Sequence, residues 1–190
     1  LGLYIIKEAC KDAQKLQKEG TPLSISVNIS PKQLESAVFV REVRRILQEV
    51  DLHDIQLILE VTERSLLSTS GRILERIREL KQLGIQMSMD DFGMGHSSMM
   101  YLQENAFDEV KLDGSLVRQI LENERSRDIV RGITRLAASM QFHVVAEFVE
   151  TREQMELLKA LHCDIYQGYY YGKPCSCDEF IIKYLKQEPR

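Results

Sequence analysis

The chain has 190 residues with 25 basic and 29 acidic side chains, a formal net charge of −4, 44% hydrophobic content and 28% charged content. Those values are those of an ordinary globular protein with room for one core, and they argue against disorder and against a polymeric nucleic acid or an anionic membrane as a partner. No run approaches the ~20 apolar residues of a membrane span and no signal peptide is visible. Cys10, Cys163, Cys175 and Cys177 lack paired CxxC spacing, which points to reduced thiols of a cytoplasmic protein rather than to zinc ligands or disulfides.

In chain order, helical spacing of Ile5, Ile6, Ala9, Ala13 and Leu16 predicts a first helix, and the apolar run at 23–29 predicts a buried strand. Val40, Val43, Ile46, Leu47 and Val50 predict a second helix, followed by a strand at 55–61. Ile73, Ile77, Leu80 and Leu83 predict a third helix, ended by Gly84 and followed by a strand at 85–89. A strand at 109–112 precedes an apolar stripe on Ile129, Ile133, Leu136, Ala137 and Met140, and another strand is predicted at 143–146. Thr151 and Gln154 make a capping box that opens a helix carrying Met155 and Leu158; a strand at 164–166 and a last helix over 177–185 complete the chain.

No Pro/Gly/Ser-rich linker interrupts this order, so a single domain over residues 1–190 is expected. Strands alternating with helices imply parallel pairing, in a β/α barrel or an open doubly wound sheet. No G-x-G-x-x-G follows the first strand, which favours the α/β class in its TIM-like β/α barrel form.

Each predicted strand ends on polar groups: Asn28, Glu60, Asp90 with Asp91, Lys111 with Asp113, Glu147, and Gln167. In a β/α barrel the strand ends build one catalytic mouth. For any one of these residues alone a helix cap or a satisfied turn residue is the favoured reading, but six strands ending alike are not explained that way. The run Asp90-Asp91-Phe92-Gly93-Met94-Gly95-His96-Ser97-Ser98 sets two adjacent acids beside a glycine-rich turn, where each raises the other's pKa unless a cation or a hydrogen-bond network holds them ionised. Four carboxylates (Glu60, Asp90, Asp91, Glu147) against the single Lys111 call for hard, oxygen-seeking cations, Mg²⁺ or Mn²⁺, with Asn28 adding a neutral oxygen.

Several motifs carry a family resemblance: Ser26-Val27-Asn28-Ile29-Ser30, Leu59-Glu60-Val61-Thr62-Glu63, Asp90-Asp91-Phe92-Gly93, Lys111-Leu112-Asp113, Val145-Ala146-Glu147-Phe148-Val149-Glu150-Thr151, Gln167-Gly168-Tyr169 and Gly172-Lys173-Pro174. In this order and spacing the chain resembles the EAL domain family, bacterial phosphodiesterases that hydrolyse cyclic di-GMP to linear pGpG. The resemblance implies two divalent ions, one held by Asn28, Glu60 and Asp90 and a second by Asp90, Asp91 and Glu147. Such a pair activates a water and clamps the attacking and leaving oxygens at phosphorus. Lys111 matches the family's catalytic lysine, and Glu147 the carboxylate assigned as general base. Glu150, Gln167, Asp113 and Pro174 fall at further substrate-binding or supporting positions, and Glu63 matches the glutamate that anchors the loop at 92–98. Also implied are a homodimer and, in the full-length protein, a fused sensory or GGDEF-type domain.

The name-giving Glu-Ala-Leu is absent from the chain. The expectation is of a piece cut from a longer protein, a barrel incomplete at its N-terminal strands, short of one metal-ligand glutamate and one phosphate-contacting arginine. Impaired activity and association through an open seam are expected from it. Smaller departures from the family pattern are Phe148 in place of glycine, Met94 and His96 in the loop, and Gly114 after Asp113. The competing function is an inactive cyclic di-GMP receptor or a dimerisation and signalling module; a third is an unrelated barrel hydrolase.

Overall fold

A computed structural model of the chain describes residues 1–17, 22–50, 52, 55–66, 72–93 and 99–186. They fall into two compact units: Leu1–Glu60, Ser70–Gln86 and Pro174–Arg190 in the first, Val61–Thr69 and Met87–Lys173 in the second.

The first unit opens with α1 (Gly2–Gln17), which lays Ile6, Cys10 and Ala13 against β1 (Leu23–Asn28) and α3 (Ala37–Glu49). Between β1 and α3 lies a single turn, α2 (Pro31–Leu34), started by Ser30 and Gln33 as a capping box with proline at its first position. α3 buries Phe39, Val40, Val43 and Ile46 and turns its arginines outward, as a 3.6-residue period requires. β2 (Ile55–Thr62) pairs in parallel with β1, in a register that sets Leu23 opposite Ile55 and Asn28 opposite Glu60. α5 (Arg72–Lys81) buries Ile73, Ile77 and Leu80 and contacts α2 and α3; Gly84, at φ +83°, follows it. At the other end of the chain α10 (Cys177–Phe180) runs directly into a π-helical turn, Ile181–Leu185, so the helix expected over 177–185 is present with its second half wound more widely.

The second unit holds α4 (Glu63–Leu66), β3 (Gln86–Phe92), α6 (Met99–Gln103), β4 (Glu109–Leu112), α7 (Gly114–Arg118), α8 (Glu124–Met140), β5 (His143–Ala146), α9 (Arg152–Ala160) and β6 (Ile165–Tyr166). Here β3, β4, β5 and β6 lie side by side in chain order, all parallel. All four residues of β4 are buried, as expected of a parallel strand covered on both faces. α8 begins at Asn123, whose side chain accepts from Arg125 N and Ser126 N, and ends at Gln141 in the left-handed region. Its buried stripe is Ser126, Val130, Ile133, Thr134 and Ala137, rotated by one residue from the predicted one, so that Ile129 and Met140 are only half-buried. The capping box at Thr151 starts α9 as predicted.

β3 departs most from the sequence reading. It does not stop at Met89 but continues through both aspartates to Phe92, with Met89 opposite Val110 and Phe92 opposite Leu112. Three steps along β3 thus match two along β4, a β-bulge, and Asp91 takes up the extra residue at φ +57°. Aspartate tolerates this conformation better than most residues. Among the described residues no helix is long and apolar enough to cross a membrane.

Candidate functional site

In the first unit, Asn28 closes β1 with its side chain exposed, and Glu60, its register partner, is 4% exposed. The Ile29 N–H donates to the Glu60 carbonyl at 2.8 Å, which carries the ladder one step past Asn28. Pro174 lies in an exposed segment before α10.

The second unit holds the other predicted residues. Lys111, in the all-buried β4, and Glu147, the first residue after β5, form an ion pair at 2.7 Å with side chains only 5% and 14% exposed. The parallel register that sets Leu112 opposite Ala146 brings them together. Burying a lysine costs several kcal/mol unless an opposite charge meets it, on the order of what a buried ion loses in hydration.

Beside this pair stand Asp90, Asp91 and Asp113. Loss of water around Asp91, then the charges of Asp90 and Asp113, push its carboxyl above the usual aspartate range, and Lys111 opposes them. The Asp91 N–H donates to Asp90 Oδ1 at 2.8 Å. Asp113 caps α7, accepting from Ser115 N at 2.8 Å and Ser115 Oγ at 2.5 Å, and its own N–H donates to the Phe92 carbonyl. Glu63, buried at the start of α4, accepts from the Gly93 N–H at 3.4 Å, a long contact at the point where residues 94–98, with Met94 and His96, leave the described structure.

Glu147, Glu150 and Gln167 line one cavity of about 280 Å³ together with Arg118, Phe148, Gly168 and Tyr169. Gly168 is required there, since a Cβ would stand 2.2 Å from the Val149 carbonyl oxygen. The same close approach lets Val149 N–H donate to the Gln167 carbonyl at 3.1 Å, and Gln167 N–H in turn donates to Ala146 at 2.8 Å. Tyr169 lies in the Gln167-Gly168-Tyr169 motif, whereas Arg118 was not among the residues marked by the sequence; the signal available for it was the pair of departures Gly114 and Phe148.

The donor set fits a hard divalent cation in its chemistry: like-charged oxygen groups at one strand end, one of them with its proton affinity raised by loss of water and then by the charges of Asp90 and Asp113. Among the described residues no three His, Cys, Asp or Glu side chains already converge as a metal cage. Within the second unit, Asp90, Asp91 and Glu147 are the residues able to contribute.

Comparison with known proteins places these features in a family. A family model described as "EAL domain" matches residues 1–174. An "Uncharacterized signaling protein" of Caulobacter vibrioides is 40% identical over 182 residues, 96% of this chain and 22% of its own length. "Cyclic di-GMP phosphodiesterase NbdA" of Pseudomonas aeruginosa is 34% identical over 185 residues, 95% of this chain and 24% of its own. The chain therefore spans about a quarter of the length of these curated relatives. Among solved structures, "PaMucR Phosphodiesterase, c-di-GMP complex" superposes with a TM-score of 0.83 at 32% identity, over 94% of this chain and 73% of that one. A manganese/cy-diGMP complex of Klebsiella pneumoniae BlrP1 does so at 0.77 and 25% identity, over 91% and 45%. The chain belongs to the EAL domain family, and its fold class is that family's β/α (TIM-like) barrel.

Proposed function

We propose that the chain carries the catalytic machinery of a cyclic di-GMP phosphodiesterase, a metal-dependent hydrolase producing linear pGpG. The observation that carries this reading is the buried Lys111–Glu147 pair beside the Asp90–Asp91 bulge, in a member of this family. When bound, two divalent ions, Mg²⁺ or Mn²⁺, supply the Lewis acidity that activates water and neutralises the phosphodiester. Their proposed ligands are Asn28, Glu60, Asp90, Asp91 and Glu147.

The residues themselves do the following. Glu147, positioned by its pairing with Lys111, accepts a proton from the attacking water as the new P–O bond forms. The P–O3′ bond breaks, and a proton ends on the 3′-oxygen, leaving a 5′-phosphate and a 3′-hydroxyl. Lys111 Nζ, a compact charge fixed by its partner, compensates the charge that grows on the phosphoryl oxygens. Asp113 holds the start of α7, Glu63 holds Gly93 behind the bulge, and Glu150, Gln167 and Pro174 serve the substrate. The residues act as a single EAL-type domain. A homodimer, a fused sensory or GGDEF-type domain and a cytoplasmic location belong to the same reading.

The test is single-turnover hydrolysis of cyclic di-GMP with Mg²⁺ or Mn²⁺ by the full-length protein, with Lys111→Ala and Asp91→Asn as variants. The exposed Asp91 side chain keeps that second variant folded. The expected outcome is pGpG from the wild type and a loss of roughly a hundredfold or more in each variant, the scale of removing one transition-state charge contact. Binding without hydrolysis by the wild type would make the protein a receptor.

A further inference from the structure

Phe148 adopts φ +55°, a conformation that glycine takes freely and an aromatic residue does not. Its ring fills the space over Gly114, where a Cβ would stand 2.5 Å from the ring carbons. Two departures from the family pattern, 34 positions apart in sequence, thus touch in space: the ring fits because residue 114 has no side chain. The Arg118 guanidinium lies over the same ring, 4.0 Å from its centroid. Arg118, the last residue of α7, is exposed and lines the cavity that Glu147, Glu150 and Gln167 also line.

The charges of that cavity call for a second cation. Lys111 is already matched by Glu147, and Glu150 adds a further negative charge; among the residues that line the cavity the cation facing an incoming anion is Arg118, with Lys173 nearby, 5.6 Å from the Tyr169 ring centroid. Among the described residues the Arg118 guanidinium makes no hydrogen bond or ion pair; its contact is with the ring face. A guanidinium held over a ring by this contact keeps N–H groups to offer to a ligand as a planar fork. Holding the side chain against the ring also removes part of the ordering cost that a ligand would otherwise meet.

We propose that Phe148 and Gly114 form a matched seat that fixes the Arg118 guanidinium at the cavity beside Glu147, where its fork binds a pair of hydrogen-bond acceptors on the cyclic dinucleotide. This rests on the phosphodiesterase reading and extends it. Two parts of the ligand present such a pair, the phosphodiester oxygens and the O6/N7 edge of guanine. Arg118 is the binding residue; Phe148 and Gly114 position it.

The test is equilibrium binding of cyclic di-GMP and cyclic di-AMP to the full-length protein in EDTA, which prevents turnover, with KM and kcat measured separately in Mn²⁺. Arg118→Ala is expected to weaken cyclic di-GMP binding about tenfold or more, the scale of a lost charge-assisted contact, and to raise KM more than it lowers kcat. Arg118→Lys recovers only part, because a point charge lacks the fork. Phe148→Gly separates positioning from folding: glycine accepts φ +55°, so thermal stability holds while binding falls, and Phe148→Tyr restores it. Combining Phe148→Gly with Arg118→Ala adds nothing to Arg118→Ala alone. Equal losses for both dinucleotides assign the fork to phosphate, and a loss confined to cyclic di-GMP assigns it to guanine. Wild-type binding that Arg118→Ala leaves within twofold overturns this inference and spares the phosphodiesterase reading. A wild type that binds neither ligand overturns both.

Discussion

Replacing Lys111 by methionine keeps most of the side-chain volume and removes the cation that pairs with the mostly covered Glu147 side chain. At the observed 2.7 Å separation, the attraction at an effective dielectric near 20 is about 332/(20 × 2.7), or ~6 kcal/mol. Desolvation of the two groups offsets much of that in the intact protein, but a variant with one partner removed retains the cost of the other. The expected loss of stability for Lys111→Met is therefore about 3–5 kcal/mol. For a chain of this size it corresponds to a fall in Tm of roughly 6–20 °C, at ~2–4 °C per kcal/mol. Glu147→Gln removes the other partner and should cost less, because Asp91 also faces the Lys111 charge. The assay is urea unfolding at neutral pH of both single variants and of Lys111→Met/Glu147→Gln, closed as a double-mutant cycle. The double variant should lose less than the sum of the single losses by at least ~1.5 kcal/mol, because the second substitution breaks no ion pair that the first has not already broken. Single variants within ~1 kcal/mol of wild type, or strictly additive losses, would refute the claim that this pair is what allows a charged lysine inside β4.

Two other perturbations test the scaffold around the site. Gly168→Ala places a methyl group 2.2 Å from one backbone atom of Val149 and 2.4 Å from another; because backbone rather than a flexible side chain must yield, a loss above ~2 kcal/mol is expected in the same unfolding assay. Cysteine labelling at pH 8 should modify exposed Cys175 at once and reach Cys10 and Cys163 only on unfolding. Burial, with Asp164 adding to it, pushes the Cys163 thiol from 9.0 to about 12. The folded protein then keeps a proton that the unfolded chain releases above pH 9, so this contribution to stability is present below pH 9 and is lost as pH rises towards 12. Cys163→Ala should show a correspondingly flatter decline in urea midpoint across that interval.

Where the sequence was legible, the reason is local periodicity. The α3 and α5 stripes, the Thr151–Gln154 box and the strand at β4 are each set by residues within a few positions of one another. The strand ends that carry Asn28, Glu60, Lys111 and Glu147 follow from the same patterns, which is why the candidate residues could be named before any coordinates. The end of β3 was not legible, because consecutive aspartates weigh against a strand and the bulge that accommodates them depends on β4, a partner about twenty positions away. The single turns α2, α6 and α7 are too short to show a period. Nor does spacing reveal that Lys111 meets Glu147, or that Phe148 lies over Gly114; both depend on the parallel register of β4 and β5 and on where α7 starts.

The bulge in β3 has an effect on how this molecule can change over time. In an uninterrupted strand, residue n and residue n+1 are locked in alternation, so altering one acid would disturb the packing of its neighbours. At Asp90 and Asp91 the extra residue breaks that lock: Met89 before them and Phe92 after them are both buried, while the acids between stand half-buried and exposed. Substitutions at the two acids are thereby insulated from the core, and a lineage could lose the proposed chemistry at this point in one step while keeping a folded protein.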